Sequence, residues 1–301
     1  MKIGIFGAGF SGKEIGGSLA NQGHNVWGTT RSPEKFNDLQ NAHVYPIEFD
    51  GTHLNDPVRA ALIDTTHLII SIAPARQENT KQPDEIVDPV LRSLQDEGLN
   101  SFAPNLKWVG YLSTVGVYGN HDGAWIDETT AVSPTSERSR QRVRAEAEWM
   151  AVGEALDLPI GIFRLSGIYG PGRNALLTAE RGKARRLVKQ NQVFNRIHVG
   201  DIATALSQAV AKNSSGAFNI TDNEPAPPQD VVKFAHELMD KTPPPEIDFE
   251  TAELTPMARS FYGENKRVSN AKSKSELEFE YAWPDYRTAL SRMWNEDCWR
   301  S

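Results

Sequence analysis

Residues Lys2 to Gly12 read KIGIFGAGFSG, and this stretch decides the fold. Ile3, Ile5 and Phe6 make an apolar run of the length of one buried strand, and Gly7, Gly9 and Gly12 follow at once in a GxGxxG spacing. Gly7 permits a tight turn, Gly9 lets the backbone approach a pyrophosphate, and Gly12 allows close packing of the helix that begins there. That helix, expected over Gly12 to Gln22, directs unpaired N–H groups and a partial positive charge at phosphates, with Phe10 and Ser11 alongside. The other reading of these residues is a glycine-rich structural turn that holds no ligand.

Further along, short apolar runs alternate with helical patterns. Strands are expected at Lys2 to Phe6, Asn25 to Thr29, Val44 to Phe49, His67 to Ile72, Lys107 to Leu112 and Ile160 to Leu165. Helices are expected between them, including Glu85 to Glu97 and a long one ending in Ala145 to Leu156. This alternation indicates an α/β protein: a Rossmann-type, doubly wound parallel sheet with a smaller C-terminal substrate subdomain. The expected division gives 1–166, with 195–222 returning to it, to the dinucleotide domain, and 167–194 and 223–301 to the substrate subdomain. In the second half a helix over Asn174 to Lys189, a strand around Arg196 to Val199 and a helix over Ile202 to Ala211 are expected. PAPP (Pro225 to Pro228) and PPP (Pro243 to Pro245) bracket a helix at Gln229 to Asp240 and read as rigid connections.

The chain has 301 residues, of which 39% are hydrophobic and 24% charged, the composition of an ordinary globular protein. A net charge of -7 argues against a general nucleic-acid binder. No apolar run approaches the roughly 20 residues needed to span a bilayer. The first residues read as a strand rather than a leader, and Cys298 is the single cysteine, so a cytoplasmic location is expected, with no disulfide and no bound metal.

The end of the second strand bears on the choice of cofactor. An acidic residue there would bond the adenosine ribose 2′-OH and favour NAD; here the run is Gly28, Thr29, Thr30, Arg31, Ser32, with no acid before Glu34. Arg31 either pairs with a 2′-phosphate, assisted by Thr30, Ser32 and Lys35, or is a solvated residue opening the next helix. NADP is therefore expected in preference to NAD. Asp50 either contacts the adenine or caps the next segment, and Ser71, Ile72 and Ala73 close the fourth strand beside the dinucleotide.

LSTVGVYG (Leu112 to Gly119), RLSGIYGPGR (Arg164 to Arg173) and RIHVGDIATAL (Arg196 to Leu206) resemble motifs of the extended short-chain dehydrogenases/reductases, the epimerase/dehydratase branch. KRVSNAKSKSELEF and WPDYRTAL near the end resemble its C-terminal segment, so the resemblance covers nearly the whole chain. It implies a nucleotide-sugar-epimerase-like shape and carries no established substrate. In that family a Ser or Thr polarises the reacting carbonyl or hydroxyl, a Tyr transfers the proton, and a Lys lowers the Tyr pKa and holds the ribose. Thr114 falls on the Ser/Thr position, with Ser113 beside it, and Tyr169 belongs to the cofactor-adjacent YGPG segment. Aligning Glu146 with the acidic residue after the Tyr–Lys pair puts Arg138 and Arg142, within PTSERSRQRVRAE (Pro134 to Glu146), on the two missing partners. No Tyr lies between Tyr118 and Tyr169. The pattern, with the later ARRLVKQNQVFNRIH, is similar to the atypical branch that contains YeeZ-like proteins.

An arginine keeps its proton up to a pH of about 12.5 or beyond, so Arg138 and Arg142 are poor acids and bases. Four apart, they share a helix face. There they either stabilise an oxyanion and bind an anionic group, or belong to a charged surface with Arg140 and Arg144. The substrate contacts expected are Tyr118, Arg173, Arg185 and Arg186; the basic run Arg181, Lys183, Arg185, Arg186 and Lys189 reads equally well as a solvated helix face. His198 is expected to be structural and Asp201 to cap the following helix. Two functions remain. The first is an NADP-dependent oxidoreductase or epimerase-like enzyme on a small anionic or nucleotide-sugar-like substrate, with Thr114, Arg138 and Arg142 at its centre. The second is a non-catalytic NADP-binding sensor or binding module. The partners expected are the small-molecule substrate and, among proteins, a second copy of the chain; neither nucleic acid nor membrane is expected.

Overall fold

The computed structural model describes residues 1–74, 87–94 and 98–300. One sheet contains β1 (Lys2–Phe6), β2 (Asn25–Thr30), β3 (Tyr45–Glu48), β4 (His67–Ile70), β5 (Trp108–Thr114), β6 (Ile160–Leu165) and β7 (Gly216–Ile220). Its order is β7-β6-β5-β4-β1-β2-β3 and every pairing is parallel. Strands of a parallel sheet are covered on both faces, which is why β1, β4 and β6 are apolar almost throughout rather than alternating. The helix α1 (Phe10–Asn21) and the helix α2 (Glu137–Leu156) lie on opposite faces. On one face Ile15 and Leu19 of α1 pack with Ile202, Leu206 and Val210 of α3 (Val199–Lys212) over Ile5 and Ile69. On the other, Ala145 and Trp149 of α2 pack on Val109, Tyr111 and Ile162.

The chain runs outward from β1 in one direction through β2 and β3, and in the other through β4 to β7. The reversal opens a crevice at the C-terminal ends of β1 and β4, the place where open α/β sheets bind ligands. Short strand pairs build a roof over this end: Gly167–Tyr169 with Arg196–His198, Arg186–Val188 with Glu246–Asp248, and Trp125–Ile126 with Arg267–Val268. A separate apolar cluster under the roof gathers Tyr169, Leu176, Tyr286, Leu290 and Trp299, with Trp283 and Trp294 packed against it. Among the described residues, no helix is long and apolar enough to cross a membrane.

Several expected elements shift. The fourth strand ends at Ile70, so Ser71, Ile72 and Ala73 are loop. The helix expected over Asn174 to Lys189 stops at Glu180, because Gly182 takes a φ of +63° and turns the chain into the strand Arg186–Val188. The strand Gly216–Ile220 completes the sheet where only a continuing motif was legible. Of the helix expected at Glu85 to Glu97, Pro89–Ser93 is seen; 85, 86 and 95–97 lie outside the described residues.

Candidate active site

The glycine turn has the geometry its sequence requires. Gly7 has a φ of +89°, and its N–H donates to Thr29 Oγ1 at 2.9 Å. A Cβ on Gly12 would sit 2.5 Å from the Gly7 carbonyl oxygen, whereas one on Gly9 would meet nothing within 4 Å. The open space faces the start of α1, where no side chain caps the helix and no acid stands in the first turn. These features fit a dinucleotide pyrophosphate: the backbone is bare and the helix end offers N–H groups and positive potential. Ser71 follows β4 beside the turn, its N–H donating to Phe6 O at 2.8 Å, and Ile72 packs against Gly7. At the end of β2, Arg31 is exposed and Thr30 Oγ1 accepts from the Ser32 N–H at 3.3 Å. Asp50 is exposed and committed to its own turn: it accepts from Thr52 N at 2.8 Å and Thr52 Oγ1 at 2.6 Å, bonds that hold its carboxyl below the usual range.

A cavity of about 790 Å³ runs from Ser11 and Ser71 past Thr114 to the roof, within the size range of small-molecule sites. Thr114 ends β5, and its Oγ1 accepts from Gly116 N at 3.1 Å, which leaves the hydroxyl proton free to donate. Arg138 and Arg142 both line the cavity but are held differently. Arg138 is exposed and lies over the Phe261 ring at 5.0 Å. Arg142 directs Nη1 at Leu112 O and at Tyr111 Oη, the latter at 3.3 Å, so its fork is engaged by β5. Beneath them Glu146 and Arg164, both buried, form an ion pair at 2.8 Å, and Ser113 Oγ donates to Glu146 at 2.5 Å.

Arg173 lines the cavity at the α1 end, above the Phe10 ring at 5.7 Å. Tyr169 also lines it; its buried hydroxyl has no partner, and burial raises its pKa. Three expected substrate contacts lie elsewhere. Tyr118 is fully buried behind the cavity, donating to Asn219 Oδ1 at 2.8 Å and accepting from Arg164 Nη1 at 2.9 Å. Arg185 reaches Glu253 O at 3.0 Å and Arg186 pairs with Glu246 at 2.6 Å, because the early end of the helix carries both away to the roof strands. Asp201 does not cap α3. His198 does so through Nδ1, at 3.1 Å from Gly200 N, while buried Asp201 accepts from Ala282 N and Trp283 N at 2.9 and 3.0 Å. His198 stacks on Trp283 at 3.9 Å, and burial takes its pKa down to about 4.

Sequence reasoning missed Thr29, Ser139, Arg196, Glu264 and Lys266, of which all but Thr29 line the cavity. Ser139 lay within the helix already scanned; Lys266 opens the C-terminal segment KRVSNAKSKSELEF, but nothing local tied it or Glu264 to the site, which they reach from the far end of the chain. Among the described residues, the lining carries Arg138, Arg142, Arg173, Arg196 and Lys266 against one acid, Glu264.

Residues 3–221 match the model of the NAD dependent epimerase/dehydratase family. No curated protein matches the chain. A conserved protein of unknown function from Silicibacter pomeroyi is 42% identical, with a TM-score of 0.85 over 98% of this chain and 99% of that one. dTDP-glucose 4,6-dehydratase from Bacillus anthracis, solved with NAD, is 20% identical, with a TM-score of 0.77 over 99% and 97% of the two chains. UDP-N-acetylglucosamine 4-epimerase from Bacillus cereus is 16% identical, with a TM-score of 0.76 over 98% and 99%. The glycine turn, the seven-stranded order and the match over most of the chain agree: this protein belongs to the NAD-dependent epimerase/dehydratase family.

Proposed function

We propose that this protein is an NADP-preferring oxidoreductase or epimerase-like enzyme acting on a small anionic substrate. The observation that carries the reading is the single cavity joining Ser11, at the start of α1, to Thr114 and Arg138. The glycine turn and α1 hold the pyrophosphate, and Arg31 with Ser32 receives the 2′-phosphate. A nicotinamide bound there supplies hydride transfer. Thr114 hydrogen-bonds the substrate oxygen through its free hydroxyl, and Arg138 stabilises the charge that develops on it; neither delivers a proton. The excess of cations in the lining supports an anionic substrate.

Fluorescence titration with NADPH and NADH tests the cofactor; tighter binding of NADH sinks the Arg31 assignment. Hydride transfer across a panel of sugar nucleotides and small carbonyl compounds tests the reaction. Arg138→Ala is expected to lower it, and an unchanged rate removes Arg138 from the mechanism. A second reading, a binding module that senses the cofactor, is favoured by the engaged fork of Arg142, which leaves neither replaced position able to exchange a proton. Tight NADPH binding with no turnover on any panel member would establish it.

A further inference from the structure

Interconverting a hydroxyl and a carbonyl moves one proton at the substrate oxygen as well as a hydride. The groups lining the cavity narrow the choice of partner for that proton. A guanidinium holds its proton far above neutral pH, so the arginines are poor candidates. Tyr169 and Tyr286 have their pKa raised by burial and hold their protons. Among the described residues lining the cavity, the amine of Lys266 and the carboxyl of Glu264 remain.

Lys266 is 5% exposed, and its ammonium donates to Gly119 O at 2.6 Å and to Glu264 Oε2 at 2.7 Å. An ammonium has three N–H donors, so one is left over. Asn195 Nδ2 donates to the Lys266 carbonyl at 2.9 Å and fixes the backbone. Glu264 is held by Thr135 Oγ1 at 2.6 Å. The anchors matter: Thr135 stands just before α2, which carries Arg138, and Gly119 closes the turn that opens at Thr114. Burial pushes the lysine below its ordinary range, and Glu264 pulls the other way. This amine is therefore tied to both segments of the proposed reaction centre.

We propose that Lys266, held by Glu264, exchanges the proton with the substrate oxygen in this cavity, the task that Arg138 and Arg142 leave open. The assignment rests on the oxidoreductase reading above. In the oxidising direction the carbinol hydrogen leaves with its electron pair as hydride to the nicotinamide, and the C–O bond becomes C=O. The O–H proton passes to the neutral Lys266 amine, giving an ammonium that Glu264 stabilises. Reduction runs the same transfers backwards, so atoms and electrons balance.

The first test uses the full chain without cofactor. Trace acetylation with acetic anhydride across a pH series, read by mass spectrometry, is expected to give Lys266 a lower titration midpoint than exposed Lys183 and Lys241. Glu264→Gln should lower that midpoint further; a Lys266 midpoint equal to those of the exposed lysines overturns the proposal. The second test is single-turnover hydride transfer. Lys266→Arg keeps a cation in place but cannot cycle its proton, and the rate is expected to fall by roughly 100-fold or more with NADPH binding unchanged. Methylamine should partly restore Lys266→Ala. Native turnover that Lys266→Arg leaves intact overturns this assignment alone, while a native protein that turns over no panel member overturns the oxidoreductase reading along with it.

Discussion

The turn after β1 and the first turns of α2 form two walls of one cavity and are built in opposite ways. The turn is a backbone device: bare glycine, helix-end N–H groups and a carbonyl packed against Gly12. The α2 wall is made of side chains whose orientation depends on residues from distant segments. Arg138 and Arg142 sit one helical turn apart on the same face, yet one rests on Phe261 and the other grips the end of β5. Backbone geometry can be read from spacing alone, whereas the fate of a long charged side chain is set by what packs opposite it.

The sharpest attack on the contrast is Glu146→Ala. It strands Arg164 as a buried charge without its carboxylate, and a loss of about 3–5 kcal/mol is expected in denaturant unfolding. Ser113 loses its acceptor as well, so the damage should fall on the α2 wall; intact stability would mean that the wall does not depend on this pair. Gly12→Val attacks the other wall. Overpacking against the Gly7 carbonyl is expected to destabilise by about 1–3 kcal/mol and to abolish the NADPH fluorescence signal. A variant that still binds NADPH would break the backbone account.

Arg142→Met and Arg138→Met sharpen the comparison within α2. Losing the bond to Leu112 O leaves a β5 carbonyl without that donor, so thermal melts of Arg142→Met should show about 1–3 kcal/mol of destabilisation. Arg138→Met removes an exposed ring contact of about 0.5–1 kcal/mol at most. Equal melts would erase the distinction drawn between them.

A further expected effect is a slope with pH at the roof end. Burial pushes Asp222 up to about 8, so the folded state keeps a proton that the unfolded chain releases near pH 4. Its contribution is fully present below the unfolded value and is lost as pH rises toward about 8. His198, lowered to about 4, acts in the opposite sense, but only up to its ordinary 6.5. Between pH 6.5 and 8 the native protein should therefore lose stability that Asp222→Asn retains; parallel melting curves over that interval would refute it.

The strands β1, β2, β4, β5 and β6 were legible because parallel strands buried on both faces carry continuous apolar runs, and the glycine spacing located the crevice. Boundaries were less so: Ser71 to Ala73 are as apolar as a strand end but turn aside next to Gly7. The basic run after Arg173 had a helical period, yet Gly182 ends the helix and the charges find carbonyls and Glu246 on the roof. Lys266 opens the segment KRVSNAKSKSELEF, but nothing in that segment marked it as part of the site. It looks like one of many surface lysines until the fold brings Gly119 and Glu264 to it.

The strand Arg267–Val268 pairs with Trp125–Ile126, and Val268 packs on Val117 and Tyr118. On the ribosome, the dinucleotide crevice and the loop after β5 emerge well before this closing strand exists. Until then Val117, Tyr118 and Ile126 lack the cover that Val268 gives them. Loop closure over such a sequence separation is slow. The chamber therefore depends on the last part of the chain, and a nonsense mutation ahead of Glu264 would remove Glu264, Lys266, Tyr286 and Leu290 from its lining.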